Sequence, residues 1–162
     1  MGVTMKTVRV MFVCHGNICR SPMAEFVFKE IIKEKNLNID FVVSSSATST
    51  EEIWNGVGNP VYPPAKHELA KHGISCEGKR AVQLKASDYD NYDYFVGMDS
   101  MNIRNMNRIL NDKDGKIYKL MSFTDNSKDV ADPWYSGDFE TTYNDVYSGC
   151  KGLLDYILRK GK

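Results

Sequence analysis

No apolar run in this 162-residue sequence reaches the length a membrane span requires, and Met1 to Thr7 lacks the hydrophobic segment of a secretory signal. The protein is therefore expected in the cytoplasm, with no membrane partner. Net charge is absent too. The 21 Lys and Arg balance 21 Asp and Glu, which leaves no basic field to draw nucleic acid, so any anion recognition must be local. Cysteine is sparse: four residues without dense spacing argue for reduced thiols rather than a disulfide framework. No C-x2-C or H-E-x-x-H pattern occurs and the three histidines are scattered, so neither a metal nor another cofactor is expected. The length is that of one domain, residues 1–162, with enough chain to bury a core.

What the sequence does contain is concentrated in Cys14-His15-Gly16-Asn17-Ile18-Cys19-Arg20-Ser21-Pro22. The preceding Val8 to Val13 is short, β-branched and almost wholly apolar, as in a strand buried on both faces. Pro22 suits the first position of a helix, with Ser21 as a candidate cap. The nine residues thus run from a strand end to a helix N-terminus, where free N–H groups and the positive dipole end attract an anion.

Each residue type in this loop has a physical use. Oriented N–H groups, a helix N-terminus and a guanidinium favour the thiolate form of Cys14 and make it a nucleophile. The planar fork of Arg20 can hold two phosphoryl oxygens through a loose transition state. Gly16 permits close approach of the backbone, and Asn17 tolerates a left-handed conformation that turns further N–H groups inward. Ser21 can donate a hydrogen bond to the Cys14 sulfur as it becomes a leaving group. Cys19 lies in the same turn, either as a resolving thiol for an oxidised Cys14 or as packing beneath the loop. A bare Cys-x5-Arg spacing arises readily by chance; the internal glycine, the following Ser-Pro and the strand-to-helix context give this one its weight.

The remaining chain reads as alternating strands and helices. Met23 to Lys35 forms a first helix with Met23, Val27 and Ile31 on one face, and Ile39 to Val43 a second strand joined by a right-handed crossover. Ser44 to Pro60, with Gly56 and Gly58, reads as a long surface loop. Pro63 to His72 is a helix stopped by Gly73, with His67 and His72 facing solvent, and a turn follows from Cys76 to Arg80. Tyr92 to Gly97 is a third strand, Ser100 to Leu110 a helix, Lys116 to Met121 a fourth strand, and Phe139 to Arg159 a final helix whose buried stripe includes Cys150. Asp99 is a natural cap for the helix at Ser100. Pro133 holds Asp132 on a turn. In a four-stranded parallel sheet, that turn and Cys14 both fall at carboxyl ends of strands, where open α/β folds place their sites.

The run Val13 to Glu25 closely resembles the signature of the low-molecular-weight protein tyrosine phosphatases, down to Ala24-Glu25 after the proline. Further matches follow in order: Ser45-Ser46-Ala47-Thr48, His72-Gly73-Ile74, Met98-Asp99 with Asn102, and Asp132-Pro133-Trp134-Tyr135. The resemblance covers nearly the whole chain. It implies a three-layer α/β fold of flavodoxin-like topology, with helices on both faces of the sheet.

The same resemblance implies a set of roles. Cys14 attacks phosphorus, Arg20 binds the phosphoryl group, and Asp132 protonates the leaving oxygen and then activates water. Ser45 and Asp99 support the loop, Asp99 through an ion pair with Arg20. His15, Ile18, Trp54, Trp134 and Tyr135 form a flat slot suited to an aryl phosphate, with anchoring of the loop as the other reading of Trp54. The substrate is then a phosphotyrosine protein and the product inorganic phosphate, with the protein a monomer or weak homodimer. In two places the chain departs from the family pattern: Thr48 to Ile53 lengthens the loop before Trp54, and Lys79 stands where the family often has histidine. Phosphoarginine phosphatases resemble this chain except for a smaller polar residue at Ile18. Arsenate reductases share the fold but need a nearby pair of extra cysteines, for which only Cys76 and Cys150 remain.

Overall fold

The computed structural model describes residues 6–160. Met1 to Met5, most of the stretch read above for a secretory signal, lie outside the described residues, as do Gly161 and Lys162. In chain order the elements are β1 (Lys6–Cys14), α1 (Arg20–Lys33), β2 (Ile39–Ala47), β3 (Ile53–Trp54), β4 (Val57–Gly58), α2 (Pro63–Lys71), β5 (Tyr94–Gly97), α3 (Ser100–Leu110), β6 (Ile117–Lys119), α4 (Pro133–Ser136) and α5 (Phe139–Lys160), with 3-10 turns at Ala86–Asn91 and Leu120–Phe123.

Four strands form one parallel sheet in the order β2-β1-β5-β6, the flavodoxin-like arrangement. Because side chains alternate across a strand, β1 feeds both layers. Val8, Val10, Phe12 and Cys14 pack with α1 and α5 residues such as Phe28, Leu153 and Leu154, while Met11 and Val13 pack with Phe95, Met106 and Leu110 on the α3 side. Burial on both faces explains why β1 is uniformly apolar from Val10 to Cys14.

The differences from the sequence reading are instructive. β2 runs four residues past Val43, because it stays in register with β1 from Lys6 opposite Ile39 to Cys14 opposite Ala47. Its serines disguise a strand that is buried at Ser45 and Ser46. Helix α1 begins at Arg20, before Pro22, so Ser21 lies within the first turn and is not its cap. The segment Ser44 to Pro60 is not one loop: it completes β2 and then folds into the β3-β4 hairpin. His72 is exposed, as read, and at the end of α2 its ring also stacks on Tyr143 at 3.7 Å while Nε2 lies 3.1 Å from Glu68 Oε2.

Candidate active site

The carboxyl end of β1 and the start of α1 place Cys14 and Arg20 at opposite ends of one tight turn. Asn17 adopts the left-handed conformation at φ 59°, which curls the loop around the sulfur. The backbone N–H groups of Asn17 and Ser21 point at Cys14 Sγ from 3.3 and 3.4 Å, and Ser21 Oγ lies 3.0 Å away. The sulfur is thus surrounded by donors.

A buried network sets the loop from behind. The Asn17 side-chain amide donates to Ser21 Oγ at 2.7 Å and to Ser45 Oγ at 2.9 Å, while its oxygen accepts from the Val82 N–H at 3.0 Å. Ser45 Oγ in turn donates to Glu25 Oε1 at 2.6 Å. Since Ser21 Oγ already accepts from Asn17, its own hydrogen is free to point at the sulfur. Glu25, itself buried, is held by Lys29 at 2.6 Å and faces Lys79 at 3.7 Å. Lys79 also donates to the Ser45 carbonyl at 3.0 Å. Burial weakens the hold of Lys79 on its proton, and the carboxylate of Glu25 opposes that. Sequence reasoning assigned no role to Glu25, Val82 or the Asn17 amide. Of these, Glu25 and Asn17 left a signal only as members of the family-like run Val13 to Glu25, and Val82 left none.

Arg20 is nearly inaccessible and fully directed. Its Nη1 donates to Asp99 Oδ2 at 2.8 Å and to the Val130 carbonyl at 2.9 Å, and its Nη2 lies 3.5 Å from Asp132 Oδ2. Burial disfavours the guanidinium charge, but the Cys14 sulfur and the Asp99 and Asp132 carboxylates outweigh it and raise the pKa. Asp99 combines the two roles read as alternatives: one oxygen meets Arg20 while the other caps α3 by accepting from the Asn102 N–H at 2.8 Å. Asp132 precedes α4 in an extended conformation and accepts from the Trp134 N–H at 3.0 Å. Its second oxygen is the one turned toward Arg20.

These groups open into a cleft of about 240 Å³ lined by Cys14, His15, Ile18, Arg20, Asp132 and Trp134, with Gly16, Cys19, Tyr135, Glu51 and Glu52 completing the wall. Trp54 is absent from that wall. The six residues Thr48 to Ile53 bring Glu51 and Glu52 to the cleft instead, and the β3-β4 turn carries the indole outward into solvent. Cys19 shares the cleft with Cys14, but burial, followed by the neighbouring Cys14 and Asp132 charges, pushes its pKa up to about 12. Ser45 and Asp99 sit behind the loop through the contacts above.

A family profile described as low molecular weight phosphotyrosine protein phosphatase matches residues 9–162. The chain belongs to that family. It is 39% identical over 153 residues to the low molecular weight protein-tyrosine-phosphatase PtpA of Staphylococcus aureus, an alignment covering 94% of this chain and 95% of that one. The fold superimposes on the crystal structure of YfkJ from Bacillus subtilis with a TM-score of 0.88 at 33% identity, covering 97% of this chain and 98% of that one. It also superimposes on the low molecular weight protein tyrosine phosphatase SP-PTP from Streptococcus pyogenes, with a TM-score of 0.79 at 38% identity and 92% coverage of each.

Within this family frame the other two cysteines lie apart from the cleft. Cys76 and Cys150 are buried away from its lining, and burial raises the pKa of both thiols. Cys150 Sγ packs 3.6 Å from the Ala24 carbonyl on the inner face of α5. Neither lines the cleft beside Cys14, and the arsenate reductase reading is not favoured.

Proposed function

We propose that this chain hydrolyses phosphotyrosine in proteins through a cysteinyl-phosphate intermediate. The observation that carries the reading is the convergence on one cleft of a donor-ringed Cys14 sulfur, a carboxylate-held Arg20 and the Asp132 carboxyl. Cys14 Sγ attacks phosphorus as the bond to the tyrosyl oxygen breaks, and Asp132 delivers its proton to that oxygen. Arg20 and the loop N–H groups hold the equatorial oxygens. In the second half Asp132 takes a proton from water, water attacks phosphorus, and the sulfur leaves as thiolate stabilised by Ser21 Oγ. Inorganic phosphate is released, and no step calls for a cofactor.

Ile18 lines the cleft where the phosphoarginine phosphatases carry a smaller polar residue, which weighs against phosphoarginine, and Trp134 adds a face for an aromatic ring. The described helices include none long and apolar enough to cross a membrane, in keeping with a cytoplasmic phosphoprotein as substrate. The test is hydrolysis of p-nitrophenyl phosphate by the reduced protein in chelator. Cys14→Ser should abolish turnover and Asp132→Ala should lower kcat by roughly 10²–10⁴. A folded, reduced wild-type protein that leaves the ester intact would overturn the reading.

A further inference from the structure

Cys14 ends a strand and Arg20 begins a 14-residue helix, whereas Asp132 stands between a stretch without regular structure and the short α4. Upstream of Asp132 the chain is held by its backbone. The Val130 N–H donates to the Met98 carbonyl at 2.9 Å, the Val130 carbonyl accepts from Arg20 at 2.9 Å, and the Ala131 carbonyl accepts from Thr142 Oγ1 at 3.2 Å. Downstream, past the buried Pro133, the hold changes in kind. Asp132 Oδ1 accepts from the Trp134 N–H, so whatever fixes Trp134 fixes that side of the carboxyl. Trp134 itself is 57% exposed. The single aromatic ring that meets its indole among the described residues is Tyr62, with centroids 4.9 Å apart and planes tilted by 50°.

Tyr62 is built as a fixed support. It immediately precedes α2, and Pro63 restricts it to the extended conformation it adopts, with φ −56° and ψ 131°. Its carbonyl accepts from the N–H groups of Ala65 and Lys66, both at 3.0 Å, and its N–H donates to the Ile18 carbonyl of the catalytic loop at 2.9 Å. The same ring also meets Phe139, the first residue of α5, at 6.1 Å. Trp134 and Phe139 flank Gly137, whose φ of 72° makes the bend between α4 and α5. One partly buried tyrosine therefore touches the catalytic loop through its backbone and both sides of the bend after Asp132 through its ring.

We propose that Tyr62 is a positioning residue for the carboxyl that acts as acid and base: its ring clasps Trp134, which keeps the Trp134 N–H on Asp132 Oδ1 and leaves Oδ2 turned toward Arg20. The inference rests on the phosphatase reading of the cleft. In the first half of that reaction the Asp132 proton moves to the ester oxygen as its bond to phosphorus breaks and the bond from Cys14 Sγ forms. A clasp that serves this transfer matters most where the leaving oxygen is most basic. A ring that only packs α2 against α4 affects every ester alike.

The test compares kcat/KM, which reads the first phosphoryl transfer, for phenyl phosphate and p-nitrophenyl phosphate. Phenol is the poorer leaving group and needs the proton more. Tyr62→Ala should lose about two- to tenfold more on phenyl phosphate than on p-nitrophenyl phosphate, the size of one aromatic contact expressed as a rate. Tyr62→Phe keeps the ring and should match the wild type. Tyr62→Leu fills the space without a ring, should follow Tyr62→Ala, and carries the comparison if the alanine variant does not fold. In protein that already carries Asp132→Asn, Tyr62→Ala should add no further loss on phenyl phosphate, because no acid is left to place. Equal losses on the two esters, no loss on either, or a loss that persists beside Asp132→Asn overturn the clasp and leave the phosphatase reading intact. A folded, reduced wild-type protein that hydrolyses neither ester removes both.

Discussion

The side-chain amide of Asn17 reaches the hydroxyl of Ser21 at 2.7 Å, four residues on, and so decides where that hydroxyl points. The hydroxyl accepts from Asn17 through one of its two lone pairs, and its hydrogen can turn to the Cys14 sulfur 3.0 Å away. The pose belongs to a network that ends on Glu25, Lys29 and Lys79.

Asn17→Ala should therefore act at a distance from the phosphoryl group. It removes two buried hydrogen bonds and one partly buried one and places alanine at a left-handed φ, for a loss of about 2–4 kcal/mol in urea unfolding. Turnover of p-nitrophenyl phosphate should fall chiefly in kcat, through misdirection of Ser21 toward the thiolate leaving group. A variant that unfolds and turns over like the wild type would show that the network does not set the loop.

Substitutions of Asp99 separate its two functions. Asn caps helices as well as Asp does, so Asp99→Asn keeps the contact with the Asn102 N–H and loses the charge opposite Arg20. Inhibition by inorganic phosphate should change in this variant, because the guanidinium is no longer held in register. Asp99→Ala should show the same change in inhibition and lose about 1 kcal/mol more of thermal stability, the cost of the missing cap. Equal stability of the two variants would mean that the cap contributes nothing.

The thiols of the cleft differ in reactivity by environment. Burial pushes the pKa of Cys19 up to about 12, while the loop directs its donors at Cys14. Brief iodoacetamide treatment at pH 7 should carboxamidomethylate Cys14 and spare Cys19, read by peptide mass spectrometry. Comparable labelling of both would contradict the described burial of Cys19. The same contrast bears on Cys19 as a resolving thiol: a disulfide with an oxidised Cys14 should form faster as pH rises, since attack requires the Cys19 thiolate.

Asp112 supplies an acid-dependent part of stability far from the cleft. Burial would raise its pKa, but the Tyr89 hydroxyl at 2.6 Å, then the N–H groups of Lys116 at 2.7 Å and Ile117 at 3.1 Å, bring it below the ordinary 3.8. A depressed folded pKa stabilises the fold above the unfolded value and ceases to do so as pH falls through the folded one. Asp112→Asn should cost about 1–2 kcal/mol at pH 7, and the gap to the wild type should close as pH falls below 3.8. A gap that stays constant down to pH 2 would place the effect elsewhere than in the carboxylate charge.

Much of this protein was legible locally. The uniform apolar run of β1, the nine residues that follow and the helical spacing of α1 come from interactions within a few turns of chain, so Cys14, Arg20 and the left-handed Asn17 could be read from order alone. The Asn55-Gly56 pair was an equally local hairpin signal that the serine- and threonine-rich surroundings obscured. Tertiary structure decided what no local pattern encodes. Asp99 stands 79 residues from Arg20, and the Val130 carbonyl 110 residues away; the parallel order β2-β1-β5-β6 brings both to one guanidinium. The long pairing of β2 made a buried strand of polar serines, because backbone hydrogen bonds to β1 outweigh side-chain preference. Trp54 depended on the fold most of all: the residues before it put two carboxylates against the cleft, and the hairpin turned the indole into solvent.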